Sequence, residues 1–252
     1  MTDTAPPTPA DAGPDRAPAT RASLPLIPVL DLMHGQVVRA VRGERQHYQP
    51  LRSRLCAGSD PVDLARALLR HTGCDRLYIA DLDALLGGAV QREALHRLLA
   101  ALPGVRLWLD AGWRDPAAAR ALWAELGPAG DAIDPVFASE ALRDADALAD
   151  CFAAGEVWAG RALLSLDRRG EQRLDPAGCW QRPDLWPPRV IVMTLERVGS
   201  GSGPDLSTLT GMRERAPGHQ YFGAGGVRQA EDLSAAAQAG AAGWLVAGRT
   251  RV

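Results

Sequence analysis

Short apolar runs alternate with longer amphipathic stretches along this chain from Leu24 onward. The apolar runs, rich in leucine and β-branched residues, predict eight strands, at 25–31, 76–80, 105–110, 132–137, 157–166, 189–194, 219–223 and 242–247. The amphipathic stretches predict helices at about 61–72, 90–101, 115–126, 139–152, 205–216 and 228–239. Strands that are apolar throughout and separated by crossovers of helix length are typical of a parallel sheet covered by helices. The pattern therefore predicts an α/β fold, a closed (β/α)₈ TIM barrel.

Local signals refine the element boundaries. Asp60-Pro61 and Asp115-Pro116 each place a capping residue before a proline, which predicts a helix start at both points. The segment 175–187 is rich in proline and tryptophan, so we expect no regular helix between the fifth and sixth strands. The sequence stops at Val252, a few residues past the eighth strand, and we expect the final helix to be truncated.

The first 22 residues differ in composition from the rest of the chain. They are rich in alanine, proline, aspartate and threonine, and they lack the apolar stretch of a secretion signal. We interpret residues 1–22 as a disordered tail and place a single barrel domain at 23–252.

Charge and cysteine content exclude several functional classes. A net charge of −2 provides no overall field that would attract nucleic acid or an anionic membrane. No apolar run approaches the roughly 18 residues needed to cross a bilayer. Histidines show no metal spacing, and the cysteines lie far apart without a C-x-x-C pair, which indicates reduced thiols. We therefore expect a cytoplasmic protein without a metal site.

Glycine turns recur in the two halves of the chain. Asp110-Ala-Gly-Trp-Arg114 follows the third predicted strand, and Gly223-Ala-Gly-Gly-Val-Arg228 follows the seventh. Their glycines Gly112 and Gly226 stand 226 − 112 = 114 positions apart. This spacing predicts a half-barrel internal repeat of two four-strand units, each with its own glycine turn. Such a barrel would suit a substrate with a phosphate at each end.

Two aspartates end strand-like runs in opposite halves of the chain. Asp31 closes the run 24–31, and Asp167 closes the run 162–167. A carboxylate at the end of a buried strand costs free energy, so its presence there suggests a function. Together with glycine turns that could hold a phosphate group, the pair of aspartates indicates an acid/base enzyme acting on a phosphorylated substrate. The alternative is that each aspartate only caps a loop.

Five motifs occur in an order that matches a known family, over about residues 24–251. They are Ile27-Pro-Val-Leu-Asp-Leu-Met-His-Gly-Gln-Val-Val-Arg39, Ala80-Asp-Leu-Asp83, Ser165-Leu-Asp-Arg168, Met193-Thr-Leu-Glu-Arg197 with Gly203-Pro-Asp205, and Gly223-Ala-Gly-Gly226. This set resembles the histidine-biosynthesis barrel family of phosphoribosylformimino-5-aminoimidazole carboxamide ribotide isomerase and imidazole glycerol phosphate synthase cyclase. Val37-Val-Arg39 and the Ser-Gly-Pro-Asp run favour the isomerase. The stretches 80–84 and 49–53 resemble an isomerase-like subgroup associated with methanopterin-type one-carbon metabolism.

The resemblance implies a cofactor-free aldose–ketose isomerisation, the Amadori rearrangement of a phosphoribosyl aminoimidazole carboxamide-type substrate. Opening of the furanose needs an acid at the ring oxygen, and the resulting Schiff base needs a base at C2. Carried over by motif, Asp31 is expected to be the base and Asp167 the acid, although the two roles could be reversed. To act as an acid near neutral pH, Asp167 needs a pKa raised by burial.

The same resemblance implies residues that bind the substrate. Thr194 is expected to hydrogen-bond it near the reacting carbons, and Arg39 and Arg114 to clamp a phosphate or the carboxamide end. Asp81 would lie on the same rim and orient a neighbouring arginine. The alternatives are an ordinary threonine at a strand end, two surface arginines and a structural aspartate.

Two phosphate cradles are implied by the glycine turns. Gly225 and Gly226, with the helix start at Gly248-Arg249, would offer backbone N–H groups to one phosphate. Gly112 with Ser139 would serve the other. A tight turn between strand and helix also favours glycine without any ligand, and this reading stays open.

The chain departs from the family pattern at Asp110, where three small residues are usual, and at Val198, where the loop usually has aspartate. A carboxylate beside a phosphate would repel it unless Asp110 points into the barrel. The substrate is therefore left open between the histidine-type aminoaldose and another phosphorylated substrate in one-carbon cofactor biosynthesis. A non-catalytic phosphate-binding barrel is the third alternative. We expect a monomer or homodimer. A missing last helix would leave an apolar face uncovered, and such a face would favour a partner chain.

Overall fold

The computed structural model describes residues 24–39 and 48–247. Its strands, in chain order, are β1 Leu26–Met33, β2 Gln36–Arg39, β3 Gln49–Pro50, β4 Arg76–Asp81, β5 Arg106–Asp110, β6 Ile133–Ala138, β7 Leu163–Arg169, β8 Gln172–Arg173, β9 Arg189–Thr194, β10 Gln220–Ala224 and β11 Gly243–Ala247. Its α-helices are α1 Pro61–Thr72, α2 Leu82–Leu85, α3 Arg92–Ala101, α4 Pro116–Leu126, α5 Ala145–Cys151, α6 Leu206–Arg215 and α7 Ala230–Gln238. Residues 1–23, 40–47 and 248–252 lie outside the described part. The expected disordered tail falls in the first of these ranges, and the expected truncation of the last helix falls in the third.

Eight of the strands pair in parallel and close into a barrel, in the order β1, β4, β5, β6, β7, β9, β10, β11. Closure is made by β11 against β1, where Leu26 lies opposite Trp244 and Val29 opposite Ala247. Strands β2 and β3 extend β1 as an antiparallel hairpin, and β8 forms a short hairpin with β7. The predicted (β/α)₈ barrel is confirmed.

Helix starts follow the capping chemistry of the sequence. The side chain of Asp60 accepts hydrogen bonds from the N–H groups of Val62 and Asp63, at 2.9 and 3.2 Å. Asp115 likewise accepts from Ala117, at 2.9 Å. Between β7 and β9 the chain makes two 3₁₀ turns, Cys179–Gln181 and Pro183–Leu185, where no regular helix was expected.

The fifth barrel strand was predicted six residues too early, because β7 begins at Leu163 and not at residue 157. Residues 157–162 form turns: Ala159 donates its N–H to Glu156, and Arg161 to Trp158. Gly160 adopts a φ of 72°, which interrupts extended backbone. Buried Trp158 gave this segment its apolar, strand-like pattern, but its indole is held by the carbonyl of Cys151 at 2.9 Å.

Two apolar layers make up the core. The outer layer packs strands against helices, and the smaller inner layer fills the barrel with side chains that alternate along each strand. In the inner layer, Trp108 meets Phe222 edge to face, with ring centroids 5.0 Å apart. Below them, Arg189 pairs with buried Asp134 at 3.1 Å. These side chains fill the lower half of the barrel, and a cavity opens at the carboxyl ends of the strands.

In the part of the chain that the structure describes, no helix is long and apolar enough to cross a membrane.

Candidate active site

A cavity of about 320 Å³ opens at the carboxyl ends of the barrel strands. Among the described residues, its walls carry four carboxylate side chains, from Asp31, Asp110, Glu140 and Asp167. Side chains of β1, β2, β4 and α2 also line it, and so do residues of β10, β11 and the loop after β9. In (β/α)₈ enzymes this end of the barrel holds the active site, so the cavity is the candidate site.

Strand register brings the two predicted catalytic aspartates into this cavity. Asp31 of β1 lies opposite Ala80 of β4, which in turn lies opposite Asp110 of β5. Asp167 of β7 lies opposite Met193 of β9, and both line the cavity. Side chains alternate between the two faces of a strand, so aligned positions share the inner face. β1 and β7 are the first and fifth of eight barrel strands, so Asp31 and Asp167 approach from opposite sides.

Asp167 is buried, and its carboxylate accepts hydrogen bonds from neighbouring residues. The Ser165 hydroxyl donates to Oδ1 at 2.7 Å, and the Glu140 N–H donates to Oδ2 at 3.3 Å. The Ser139 hydroxyl lies 3.2 Å from Oδ2 and 2.9 Å from the carbonyl of Leu174, and its single proton can serve only one of them at a time. Ser139 also accepts the N–H of Asp167 at 2.9 Å.

Burial, together with the negative charges of Glu140 and Asp110, raises the pKa of Asp167 to about 7. The hydrogen bond from Ser165 opposes this shift because it favours the ionised form. A carboxyl group with this pKa is partly protonated at neutral pH. It can therefore donate a proton, as the proposed acid must.

Tyr78 forms part of the cavity wall and was missed by the sequence analysis. Its hydroxyl donates to Oδ2 of Asp110 at 3.0 Å. Burial, with the charges of Asp110, Asp167 and Asp31, raises the pKa of Tyr78 well above its ordinary value. The Tyr78 hydroxyl therefore keeps its proton and remains a hydrogen-bond donor. Nothing in the apolar run 76–80 distinguished Tyr78 from an ordinary core aromatic residue.

The donors of the first expected phosphate cradle are engaged by the protein itself. The N–H of Gly112 donates to Oδ1 of Asp110 at 3.1 Å. Ser139 is fully buried, bonds to Asp167 and does not line the cavity. Gly112 adopts a φ of 65°, and a Cβ there would lie 3.1 Å from Leu85. The backbone conformation and the packing therefore favour glycine at this position without any ligand.

The second expected cradle does line the cavity, through Gly225 and Gly226. Their N–H groups donate to the carbonyls of Leu245 and Arg197, at 3.3 and 2.9 Å. A Cβ on Gly226 would lie 2.1 Å from the carbonyl oxygen of Gly203, so the turn and the loop after β9 are packed backbone to backbone. Gly248 and Arg249, the other members of this cradle, lie outside the described residues.

Thr194 and Asp81 are buried but do not line the cavity. Each stands one position beyond an inward-facing residue, so its side chain lies on the outer face of the strand. Thr194 donates to Asp205 at 2.7 Å. Burial would raise the pKa of Asp205, but hydrogen bonds from Thr194 and from Thr208 and Ser207 outweigh it and lower the pKa.

Asp81 works as a local cap and not as a partner of an arginine. Its Oδ1 accepts the N–H of Ala84 at 3.1 Å, and its Oδ2 accepts the N–H of Gln91 at 2.7 Å. The Gln91 side chain adds a third hydrogen bond, at 3.1 Å. These bonds hold α2 and the segment that follows it against the end of β4.

The expected arginines differ in position. Arg39, at the end of β2, is exposed and lines the cavity. Arg114 is exposed but lies away from the cavity lining. Arg169, at the end of β7, lines the cavity and was missed by the sequence analysis, although it follows Asp167 by only two positions. In the described residues, no group of three or more histidine, cysteine or acidic side chains is arranged to hold a metal ion.

Comparisons with known proteins point to one family. The family model described as "Histidine biosynthesis protein" matches residues 25–179. An isomerase of Salinispora tropica, named 1-(5-phosphoribosyl)-5-((5-phosphoribosylamino)methylideneamino) imidazole-4-carboxamide isomerase, is 31% identical, covering 85% of this chain and 86% of the relative. The Jannaschia protein of the same name is 27% identical, with 89% and 92% covered. An uncharacterized protein of Methanocaldococcus jannaschii is 24% identical, with 82% and 84% covered.

Proposed function

This chain belongs to the histidine biosynthesis protein family, and we propose that it is a cofactor-free aldose–ketose isomerase. Its substrate is a phosphorylated aminoaldose of the phosphoribosyl aminoimidazole carboxamide type. The named relatives support this assignment, since they are isomerases of such a compound.

The observation that carries the proposal is the pair of carboxylates in one cavity. Asp31 and Asp167 stand on opposite barrel strands, and both line the cavity wall. A sugar between them would have its ring oxygen facing one carboxyl group and its C2 hydrogen facing the other. The raised pKa of Asp167 supports its role as the acid.

The reaction then follows as ring opening and a proton shift from C2 to C1. Asp167 protonates the furanose oxygen as the C1–O bond breaks, and the lone pair of the amine nitrogen forms the C=N bond of the Schiff base. Asp31 takes the proton from C2, giving an enaminol. Return of a proton to C1, with the C2 hydroxyl becoming a carbonyl, yields the aminoketose. C1 is reduced as C2 is oxidised, so the electrons balance within the substrate.

A second candidate is an isomerase-like barrel for another phosphorylated substrate, in methanopterin-type one-carbon cofactor biosynthesis. Asp110 favours it, because this carboxylate takes the Gly112 N–H that the first phosphate would need. The third alternative, a non-catalytic phosphate-binding barrel, would not need the raised pKa of Asp167.

An assay of the full chain with the doubly phosphorylated aminoaldose of the relatives tests the isomerase proposal. We expect turnover, reduced by about 10²–10⁴-fold in Asp31→Asn and in Asp167→Asn, the range of a lost proton-transfer group. Asp75→Asn removes the same charge from a surface side chain that is 69% exposed and should retain activity. Rescue of a histidine auxotroph separates the first candidate from the second. Tight binding without turnover of any phosphorylated aminoaldose would favour the non-catalytic barrel.

A further inference from the structure

The turn between β1 and β2 has a backbone conformation that its sequence does not favour. Met33 pairs with Gln36 across the hairpin, so His34 and Gly35 form a two-residue turn. Both have a positive φ, 51° for His34 and 75° for Gly35, as in a type I′ turn. Within the described ranges, His34 is the one residue other than glycine with a φ of this kind. Left-handed backbone is unfavourable for a histidine and persists where neighbouring groups hold it, often at functional sites.

Two side chains from the segment after β4 hold this turn. The N–H of His34 donates to the carboxylate of Asp83, at 3.1 Å from Oδ2 and 3.3 Å from Oδ1. The N–H of Gly35 donates to Oε1 of Gln91 at 2.7 Å. The register of β1 with β4 runs as far as Leu32, so the hairpin projects beyond the paired part of β4. Asp83 and Gln91 therefore tie the projecting hairpin to the neighbouring loop.

Gln91 can accept the bond from Gly35 in one orientation of its amide. Its Nε2 donates to Oδ1 of Asp81 at 3.1 Å, and its backbone N–H donates to Oδ2 at 2.7 Å. A reversed amide would place its oxygen against the Asp81 carboxylate and its NH₂ group against the Gly35 N–H. Asp81 is fully buried at the end of β4. The hydrogen bonds that begin at the turn therefore end on a fixed group of the barrel.

The hairpin carries part of the cavity wall. Val37, Val38 and Arg39 of β2 line the cavity, whereas Asp83 and Gln91 do not. Arg39 is exposed at the end of β2, and its guanidinium group is suited to binding a phosphate. Because β2 follows the turn directly, a shift of the turn would change where the Arg39 side chain lies relative to the cavity.

We propose that Gln91 and Asp83 are positioning residues for substrate binding, which fix the turn between β1 and β2 and through it the place of Arg39. Neither side chain touches the substrate. The inference rests on the proposed function only in taking the ligand to be a phosphate ester. Asp31 lies within the barrel, opposite Ala80 of β4, and does not depend on the turn. Loss of either positioning residue should therefore weaken substrate binding and leave the proton transfers largely unchanged.

Gln91→Leu removes both polar ends of the side chain and keeps its approximate size. The Gly35 amide should then exchange with solvent about tenfold faster, measured by NMR. With the aminoaldose, KM should rise about tenfold while kcat stays within about threefold. If Gln91→Leu does not fold, Asp83→Ala removes the other anchor and tests the same point through the His34 amide. Gln220→Leu makes the same change on an exposed side chain at the start of β10 and should alter none of these values.

A double-mutant cycle tests whether Gln91 acts through Arg39. Arg39→Ala alone should raise KM, and the addition of Gln91→Leu should then raise KM by no more than about twofold. Additive increases in KM would overturn the inference. An unchanged exchange rate at Gly35, or a fall in kcat with an unchanged KM, would overturn it too.

Calorimetric titration with ribose 5-phosphate separates this inference from the proposed function. If the wild-type protein binds this ester but does not isomerise the aminoaldose, the proposed function fails. The inference then stands if Gln91→Leu weakens binding about tenfold and Gln220→Leu does not. Turnover with the same KM in the wild type and Gln91→Leu keeps the isomerase and overturns the positioning role. A wild-type protein that neither binds ribose 5-phosphate nor turns over the aminoaldose overturns both.

Discussion

Asp31 and Asp167 stand on barrel strands that are four apart in an eight-stranded sheet, yet both side chains line one cavity. Closure of the sheet, with Leu26 opposite Trp244, brings the strands that carry them to face each other. The two environments differ, because Asp31 is only half-buried whereas Asp167 is 3% exposed. A pair of carboxyl groups in unlike surroundings is what acid and base roles require.

The pH dependence of turnover should report the protonation of Asp167. An acid must hold its proton, so kcat/KM should fall as the pH rises through its pKa of about 7. Ser165→Ala removes a hydrogen bond that favours the ionised form, so the fall should move to higher pH by about one unit. Glu140→Gln removes a negative charge and should move it to lower pH. Ser234→Ala, on the exposed face of α7, serves as control. Identical profiles in all four proteins would contradict the role of Asp167.

Thr194→Val should affect stability more than chemistry. The threonine hydroxyl donates to Asp205 on the outer face of β9, away from the cavity lining. We expect the free energy of unfolding to fall by about 1–3 kcal/mol, as for a lost hydrogen bond to a charged group. Urea denaturation measures the loss, and kcat at saturating substrate should stay within about threefold. A drop in kcat without loss of stability would instead support the substrate contact expected from the sequence.

Tyr78→Phe should weaken ligand binding as well as folding. It leaves the Asp110 carboxylate without the Tyr78 hydroxyl, whereas Tyr221→Phe removes a buried hydroxyl bonded to the carbonyls of Met212 and Ala216. Both variants should lose about 1–2 kcal/mol of unfolding free energy. Only Tyr78→Phe should change the affinity for phosphorylated ligands, measured by calorimetry. Equal affinities in the two variants would limit Tyr78 to a structural role.

Gly226→Ala should be strongly destabilising. A Cβ at this position would lie 2.1 Å from the carbonyl oxygen of Gly203, and the backbone has a φ of 81°. We expect a loss of about 2–4 kcal/mol in the free energy of unfolding. Gly211→Ala is the matched control, because it lies within α6 with no atom within 4 Å of the added Cβ. Helix propensity predicts that this control gains about 0.5–1 kcal/mol. Thermal denaturation of the two variants should therefore show melting temperatures shifted in opposite directions.

Much of the fold was predictable because its causes are local. Asp60 and Asp115 cap helices through bonds to N–H groups within three residues, which the sequence order alone places. Apolar runs separated by helix-length crossovers permit few arrangements, and the parallel barrel is one of them. The fifth strand was misplaced because buried Trp158 makes a turn look like a strand.

The sequence by itself determined the barrel and the positions at which aspartates end strands. Only the tertiary structure decided which of these residues face the cavity. Barrel strands are apolar on both faces, so their pattern does not distinguish Asp31, which points inward, from Asp81, which points outward. Pairing with neighbouring strands sets that direction, and it also brings Tyr78 within 3.0 Å of Asp110 on the next strand. Contacts between residues distant in sequence depend on how the strands pair, and no local pattern encodes them.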